Sequence, residues 1–239
     1  ATPMRTIAEE FRVPVFEPED INAAPSVARL ADCNADLLIV CDYGQILAAG
    51  TLATARLGGI NLHGSLLPKY RGAAPINWAL YHGEQEAGVS VIHMTPRVDA
   101  GPVIAQARID IGADETASQL EPRLAELGGW LMRRSIDAVE AGRLEAMPQD
   151  PAQASRAPRL KKSDGILDWS RPAGALKNHV RAMDPWPGCY TWWLRPDVPP
   201  IRLILGPLDV ADNHDSPATA PGTVIEVTGD RLVIAAGEG

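Results

Sequence analysis

Short apolar segments alternate with helical segments over the first 142 residues, and this alternation restricts the possible folds more than any other feature. Residues 36–40 (DLLIV) form a continuous apolar run, as expected for a strand buried on both faces. Residues 59–63 and the alternating segment 88–94 predict two more strands. Amphipathic helices are predicted over 74–82 and 116–140. Together these elements indicate a parallel or mixed α/β sheet.

Further elements predicted in this half are helices at 3–12, 22–30 and 47–55 and strands at 13–16 and 102–109.

The character of the sequence changes twice after residue 142. Residues 143–163 are rich in Pro, Ala, Gln, Arg and Lys and show no periodicity, which predicts a linker. A short helix at 173–183 and a series of short strands separated by turns then indicate a small β-barrel. We therefore predict domains at 1–142 and 164–239, joined by this linker. The four strands are expected at 189–194, 201–208, 222–228 and 231–235.

Composition and charge exclude several classes of protein. The formal net charge of the 239-residue chain is −8, so contact with nucleic acid would require a local basic patch rather than a wide basic face. The sequence has no apolar run of about eighteen residues, the length of a membrane-spanning helix. Cys33, Cys41 and Cys189 form no CxxC pair, which argues against a disulfide framework or a zinc site. We expect a cytoplasmic protein.

The most informative polar residues are Asn61 and His63, at the end of a predicted strand. Residues two apart on a strand point to the same side, and open α/β sheets bind ligands at such strand ends. Histidine can exchange a proton near neutral pH, whereas asparagine can only donate a hydrogen bond to a developing oxyanion. Asp99, in a loop next to Gly101, could orient the imidazole. Together they suit acyl transfer without a covalent enzyme intermediate.

Other interpretations of these residues are weaker. A single histidine at a strand end is usually structural, and an aspartate near a glycine is usually a turn residue. Ser65 lacks the Gly-x-Ser-x-Gly environment of a nucleophilic serine. His63, Asp99 and His93 do not have the spacing of metal ligands, so no metal is expected. We interpret the remaining histidines as structural: His82, His93, His179 and His214.

Two stretches resemble the folate-dependent formyltransferases. Residues 61–80 (NLHGSLLPKYRGAAPINWAL) and 88–104 (GVSVIHMTPRVDAGPVI) match the family's Asn-x-His pair, its Ser-Leu-Leu-Pro segment and its Asp-x-Gly loop. Residues 157–169 (APRLKKSDGILDW) and 180–193 (VRAMDPWPGCYTWW) are similar to the C-terminal domain of members that formylate methionine on initiator tRNA. The resemblance implies a Rossmann-like α/β formyltransferase sheet, an OB-like β-barrel, and 10-formyltetrahydrofolate as the co-substrate.

The resemblance also implies roles for individual residues. Asn61 would hydrogen-bond the formyl oxygen, charged His63 would stabilise the oxyanion or move a proton, and Asp99 would hold His63. Reduced folate would be bound by the Ser65–Pro68 loop (Ser65, Leu66, Leu67, Pro68), by Tyr43, Gly44, Gln45, Ile46 and Leu47, and by the loop from Thr95 to Val98. The acceptor end would lie near Arg71 and Gly72. Candidate tRNA phosphate contacts are Lys161, Lys162, Arg171, Lys177 and Arg181, although each could equally be an ordinary surface charge.

The implied partners are initiator methionyl-tRNA and reduced folate, with no membrane, and we expect a monomer. Two alternatives remain: an enzyme that formylates an amino sugar nucleotide, or a non-catalytic folate- or RNA-binding module. The sequence departs from the family pattern at Asp42 and at Ala48, where a small neutral residue and a proline are usual. It also lacks the family's first strand, its basic loop and its last barrel strand, so we expect a fragment of a longer protein.

Overall fold

The computed structural model describes residues 3–143, 145–211 and 219–238. Its helices are α1 (Pro3–Glu10), α2 (Ala24–Asp32), α3 (Ala49–Leu52), α4 (Pro75–Tyr81), α5 (Ala117–Glu140) and α6 (Ala173–Ala182). Its strands are β1 (Leu38–Cys41), β2 (Gly59–His63), β3 (Arg71–Gly72), β4 (Glu86–His93), β5 (Val103–Asp110), β6 (Arg156–Ala157), β7 (Cys189–Arg195), β8 (Val198–Leu205), β9 (Val224–Thr228) and β10 (Arg231–Ile234).

The central sheet has the strand order β1-β2-β4-β5. Strands β1 and β2 are parallel, whereas β4 runs antiparallel to both β2 and β5. The predicted α/β sheet is therefore present and is mixed. The capping box of Thr116 and Gln119 begins α5, which packs on β4 and β5. Gly128 lets this helix approach β2, since a Cβ atom there would lie 2.7 Å from the side chain of Leu62.

A smaller apolar cluster supports β1 from one side. Leu38 and Val40 of β1 pack against this cluster, which contains the buried residues Ile21, Leu47 and Leu52. The alternate residue Ile39 remains 52% exposed. The two faces of β1 are therefore covered differently, and the pattern of a strand buried on both faces is not realised at this edge.

The strand predicted at residues 13–16 is absent, so that prediction is wrong. The Val13 amide instead donates to the carbonyl of Ala8 at 2.7 Å and closes the end of α1. No described strand pairs with the residues that follow, and Val13 and Phe16 are exposed. Favourable strand composition is not sufficient without a neighbouring strand to satisfy the backbone.

The segment predicted as a linker runs back along the end of the central sheet. Met147 and Val103 exchange two backbone hydrogen bonds of 2.8 Å. Strand β6 then pairs in parallel with β3, placing Gly72 opposite Ala157. Only glycine fits there, because φ is +127° and a Cβ atom would lie 2.4 Å from the carbonyl oxygen of Ala157.

The C-terminal half is attached to the same core through α6. The side-chain amide of Asn77 on α4 donates to the carbonyl of Ala182 at 2.7 Å, and Leu176 and Met183 belong to the main buried cluster. Among the described residues, β7 pairs with β8 and β9 with β10 as two antiparallel hairpins. In the part of the chain that the structure describes, no helix combines the length and apolarity needed to cross a membrane.

Candidate functional site

Strand β2 brings Asn61 and His63 to one end of the sheet. The ladder with β4 places Asn61 opposite Ile92 and His63 opposite Ser90. His63 is the last residue of β2 and is 5% exposed. The strand period of two puts both polar side chains on one side, as the sequence predicts.

The His63 ring lies between two acceptors. Its Nε2 is 2.9 Å from the carbonyl oxygen of Tyr70, and its Nδ1 is 3.5 Å from Oδ2 of Asp99. The second distance is longer than that of a usual hydrogen bond. Both neighbours can accept, so each ring nitrogen can donate to the neighbour it faces when it carries the hydrogen.

Asp99 is held in an uncommon backbone conformation. Its φ is +50°, a region that non-glycine residues rarely occupy. The amide of Gly72 donates to Oδ2 of Asp99 at 2.9 Å, and Nε2 of Gln149 donates to the Asp99 carbonyl at 2.8 Å. Gly101 is required two residues later, because a Cβ atom there would lie 1.7 Å from the carbonyl oxygen of His93. The loop therefore presents its carboxylate in a fixed direction.

The side-chain amide of Asn61 has no hydrogen-bond partner among the described residues. Within residues 3–143, 145–211 and 219–238, no protein group donates to it or accepts from it. The side chain is half-buried, so it is not fully solvated either. The structure thus brings His63 and Asp99 into contact and leaves an amide on the same strand available to a ligand.

The loop Ser65–Pro68 is shaped by buried hydrogen bonds that sequence reasoning missed. The Ser65 hydroxyl donates to the carbonyl of Lys69 at 2.7 Å. Ser90 on β4 donates to the Ser65 carbonyl at 2.6 Å and accepts from the Leu67 amide at 3.0 Å. Gln106 donates to the Leu67 carbonyl at 2.8 Å. Ser65 and Leu67 are buried and hold the loop, whereas Leu66 and Pro68 are half-buried.

The predicted folate loop at residues 43–47 divides into exposed and supporting residues. Tyr43, Gly44 and Ile46 are exposed. The Gln45 side chain accepts from the Ile21 amide at 2.8 Å and donates to the Pro18 carbonyl at 3.1 Å, and Leu47 is buried. Asn22, which sequence reasoning missed, donates to the Ile46 carbonyl and accepts from the Ala48 amide. In the other predicted loop, Thr95 is half-buried and Val98 is 51% exposed.

Tyr70, whose carbonyl contacts His63, is fixed by its side chain. Its hydroxyl donates to Glu84 at 2.8 Å, and Lys69 pairs with the same carboxylate. Burial and the Glu84 carboxylate raise the pKa of Tyr70, so the phenol remains a donor. Although burial alone would raise the pKa of Glu84, hydrogen bonds from Lys69 and Tyr70 lower it on balance. This cluster orients the residue that supplies one acceptor to His63.

The residues predicted to bind the acceptor have different surroundings. Arg71 directs Nε and Nη2 at Oε1 of Gln149, at 3.1 and 2.7 Å. The Gly72 amide is used by Asp99, as described above. Lys161 and Lys162 are exposed on the surface. Sequence reasoning gave no role to Gln149, since nothing in residues 143–163 distinguishes it from other polar residues there.

Arg181 is a correction to the sequence prediction. Its side chain was expected to contact tRNA phosphate, but the residue is only 7% exposed. Its guanidinium donates to the carbonyl of Gly112 at 3.0 Å and to Oδ1 of Asn178 at 2.8 Å. Lys177 is paired with Asp114, and Arg171 lies 4.4 Å from the centre of the Tyr81 ring. We assign Arg181 a structural role, because little of the residue is exposed and its Nε and Nη1 are already bonded to protein acceptors.

A cavity of about 290 Å³ lies between the beginning of α5, helix α6 and the end of β8. Lys177, Arg181 and Asp184 line it, and none of Asn61, His63 and Asp99 does. We nevertheless regard Asn61, His63 and Asp99 as the candidate site, because they combine an amide, an imidazole and a carboxylate at the end of β2. Among the described residues, no group of three or more His, Cys, Asp or Glu side chains is placed to hold a metal ion.

Comparisons with solved structures show that the fold is shared with formyltransferases. A sugar N-formyltransferase from Shewanella sp. FDAARGOS_354 matches with a TM-score of 0.64 at 17% identity, over 80% of this chain and 77% of that one. HypX from Aquifex aeolicus, solved with tetrahydrofolic acid, matches with a TM-score of 0.59 at 18% identity, over 69% of this chain and 29% of that one. These matches support the predicted formyltransferase sheet and its C-terminal extension.

Sequence comparisons are more specific. The formyl transferase family model matches residues 2–136, and the formyl transferase C-terminal domain matches residues 159–239. A methionyl-tRNA formyltransferase from Rhodopirellula baltica is 45% identical over 99% of this chain and 72% of that protein. Another, from Geobacter metallireducens, is 39% identical over 99% of this chain and 73% of that protein. The chain therefore belongs to the methionyl-tRNA formyltransferase family.

Proposed function

We propose that this chain transfers a formyl group from 10-formyltetrahydrofolate to the α-amino group of methionine on initiator methionyl-tRNA, for the initiation of translation. The observation that carries the proposal is the His63 ring, held between Tyr70 and Asp99 beside the available amide of Asn61. The Asn61 amide can donate to a carbonyl oxygen directly, and the Nε2 of His63 becomes a second donor when that oxygen takes the place of the Tyr70 carbonyl. The names of the curated relatives support methionyl-tRNA as the acceptor.

In the proposed reaction the neutral amine attacks the formyl carbon. A bond forms between the methionine nitrogen and this carbon, the bond from the carbon to N10 of the folate breaks, and a proton passes from the amine to N10. Asn61 donates to the formyl oxygen as negative charge develops on it, and charged His63 joins it by exchanging its Nε2 contact with the Tyr70 carbonyl for the formyl oxygen. One such donor typically contributes about 3–4 kcal/mol, and a well-placed proton shuttle adds roughly a hundredfold in rate.

We propose that the reduced folate lies along the loops that follow β1, β2 and β4. Leu66, Pro68, Tyr43, Ile46 and Val98 are exposed or half-buried and would contact it directly. The buried or bonded residues Ser65, Leu67, Gln45 and Leu47 would act by holding the loop backbones. Gly44 and Thr95 would offer backbone groups to the pterin ring. The substrate would then approach from the side of Arg71 and Gly72.

The assay that tests this function measures transfer of labelled formyl to each of two acceptors. The purified chain is mixed with 10-formyltetrahydrofolate and either methionyl-tRNA or an amino sugar nucleotide. We expect formylmethionyl-tRNA, and we expect Asp99→Asn to lower the rate about a hundredfold, since the orienting carboxylate is lost. Asp36→Asn is the matched control, because Asp36 is an exposed partner of Arg56. Formylation of the sugar alone, or folate binding without any transfer, would overturn the proposal.

We also propose that Lys161 and Lys162 contact tRNA phosphates from the exposed surface, in a monomeric cytoplasmic protein. Replacing both with alanine should weaken binding across tRNA sequences and reduce the slope of log affinity against log salt by about one to two. Arg56→Ala, an exposed basic residue paired with Asp36, is the control. An unchanged slope in the double variant would assign the tRNA contact to other residues.

A further inference from the structure

We infer that the segment 147–157, through Gln149 and Ser155, positions the two acceptors that flank His63. This inference rests on the proposed function, since it gives His63 its role there. The segment supplies no group to the reacting atoms. Gln149 is therefore a positioning residue, which acts through Asp99, Gly101 and Arg71.

The first observation is backbone strain at both partners of His63. Asp99 has φ of +50° and Tyr70 has φ of +62°, and neither is glycine. Non-glycine residues adopt this region only where the surroundings hold them in it. Asp99 and Tyr70 each present an acceptor to the His63 ring. Their strained backbones must therefore be held in position by groups that lie close to this ring.

Gln149 provides that support to the Asp99 loop. Its Nε2 donates to the carbonyl of Asp99 at 2.8 Å and to the carbonyl of Gly101 at 2.7 Å. Its Oε1 accepts from Nε and Nη2 of Arg71 at 3.1 and 2.7 Å. The amide thus uses both of its donors on one loop and its acceptor on β3. The Gln149 side chain therefore joins the loop that carries Asp99 to β3, the strand that follows Tyr70.

Ser155 supports the other partner. Its hydroxyl accepts from the Tyr70 amide at 2.9 Å, and its carbonyl accepts from the Arg71 amide at 2.9 Å. The parallel pairing of β3 with β6 then continues to Gly72, whose amide donates to Oδ2 of Asp99 at 2.9 Å. The register of this short ladder therefore sets where the carboxylate lies relative to the ring.

The loss of Gln149 should affect turnover more than folate binding. The Asp99 loop would be free to leave its strained conformation, and the 3.5 Å contact between Asp99 and His63 would lengthen. Oxyanion stabilisation depends on such alignment, whereas the predicted folate loops at 43–47 and 65–68 form no hydrogen bonds with Gln149 in the described residues. The third predicted folate loop, at 95–98, adjoins Asp99 but is not itself hydrogen-bonded to Gln149 in the described residues.

The decisive variant is Gln149→Glu, which keeps the length of the side chain and an acceptor for Arg71. It replaces the amide donor with an oxygen that faces the carbonyls of Asp99 and Gly101. Gln153→Glu is the matched control, because Gln153 lies in the same segment, is exposed, and hydrogen-bonds only to Asp150 through its side chain among the described residues. Both variants are made in the full chain.

Three quantities are measured: kcat, KM for 10-formyltetrahydrofolate, and hydrogen exchange of the Gly72 amide. For Gln149→Glu we expect kcat to fall tenfold or more, KM to stay within twofold, and Gly72 to exchange at least tenfold faster. Gln153→Glu should match the original chain in all three. Unchanged kcat with unchanged Gly72 exchange overturns the inference, as does a loss of kcat that accompanies faster exchange throughout the sheet.

The exchange measurement separates this inference from the proposed function. It needs neither folate nor tRNA, so it still decides whether Gln149 holds the loop if the original chain transfers no formyl group. In that case the proposed function fails and the structural part of the inference is judged by Gly72 alone. If instead the original chain transfers formyl and the Gly72 amide exchanges at its normal rate in Gln149→Glu, the proposed function stands and the inference fails.

Discussion

The central sheet and the C-terminal hairpins bury their strands to very different extents. In β4, six of eight residues are buried, whereas all five residues of β9 are exposed. The candidate site lies next to the first kind of strand, where Ser90 on β4 supports the Ser65–Pro68 loop from inside. Groups that must hold a fixed geometry are thus attached to the part of the molecule that can move least.

The hairpins use their surface in another way. Arg202 lies 3.8 Å from the centre of the Tyr190 ring, and Arg195 lies 4.5 Å from that of Trp193. Trp192 and Trp193 are about half exposed, at 50% and 46%. Burial thus supports the candidate site in one half, while the other half presents large side chains at its surface.

The largest effect is expected at the buried end of the sheet. Asn61→Ala removes a donor to the formyl oxygen and should lower kcat by roughly 100- to 1,000-fold, the usual result of losing an oxyanion donor. Rapid-mixing measurements of formyl transfer would determine it. Asn34→Gly serves as the control, since Asn34 is exposed and has φ of +47°, which glycine adopts readily. Turnover near that of the original chain would remove Asn61 from the mechanism.

A matched pair of valines compares the two regions directly. Val91 on β4 is 0% exposed, and Val227 on β9 is 72% exposed. Val91→Ala should reduce the free energy of unfolding by about 2–3 kcal/mol, because two buried carbons are lost and a cavity remains. Val227→Ala should cost less than about 1 kcal/mol. Urea unfolding measures both, and similar losses would show that the hairpin buries more than its exposure indicates.

A smaller, pH-dependent effect compares a buried histidine of the C-terminal half with one of the central sheet. Burial lowers the pKa of His179 on α6 and of His93 on β4. Their folded-state pKa values lie below the unfolded value near 6.5, so the unfolded chain takes up protons first as the pH falls. Stability should therefore be fully present above about pH 6.5 and decrease as the pH falls below it.

Two substitutions, His179→Gln and His93→Gln, show how much each histidine contributes to the pH dependence of the free energy of unfolding. His179 is 4% exposed and His93 is half-buried, so His179→Gln should flatten the profile more. Unfolding by urea at a series of pH values between 5 and 7.5 would measure both variants. A larger flattening in His93→Gln would mean that the sheet, rather than α6, holds the more strongly desolvated histidine.

Much of the fold follows from local patterns in the sequence. The apolar runs and amphipathic periodicity locate β2, β4 and α5 within one or two residues, because these elements bury one or both faces in the core. The sequence also predicts the pairing of His63 with Asp99, since His63 ends one strand of the sheet and Asp99 lies in the loop after another. The strand expected at 13–16 fails because strand composition does not guarantee a pairing partner.

The supporting residues could not be predicted in the same way. Gln149 bonds to groups about fifty residues away, and Ser155 bonds to Tyr70 across 85 residues. No periodicity or motif in residues 143–163 signals these contacts. Arg181 illustrates the opposite error, because its charge favours a surface contact while tertiary packing places it against backbone carbonyls. Local sequence therefore predicts helices, strands and the polar residues at strand ends better than it predicts the long-range contacts that hold those residues in place.

The pairing of β3 with β6 has a consequence for synthesis on the ribosome. The nascent chain emerges from its N-terminus, so β2 and His63 are available long before Ser155 and Ala157 are translated. The chain between β3 and β6 forms a long loop, and the entropic cost of closing it grows only slowly with its length. The loop cannot close, however, until β6 has been synthesised. The surroundings of His63 are thus completed late, after most of the sheet beneath them has been made.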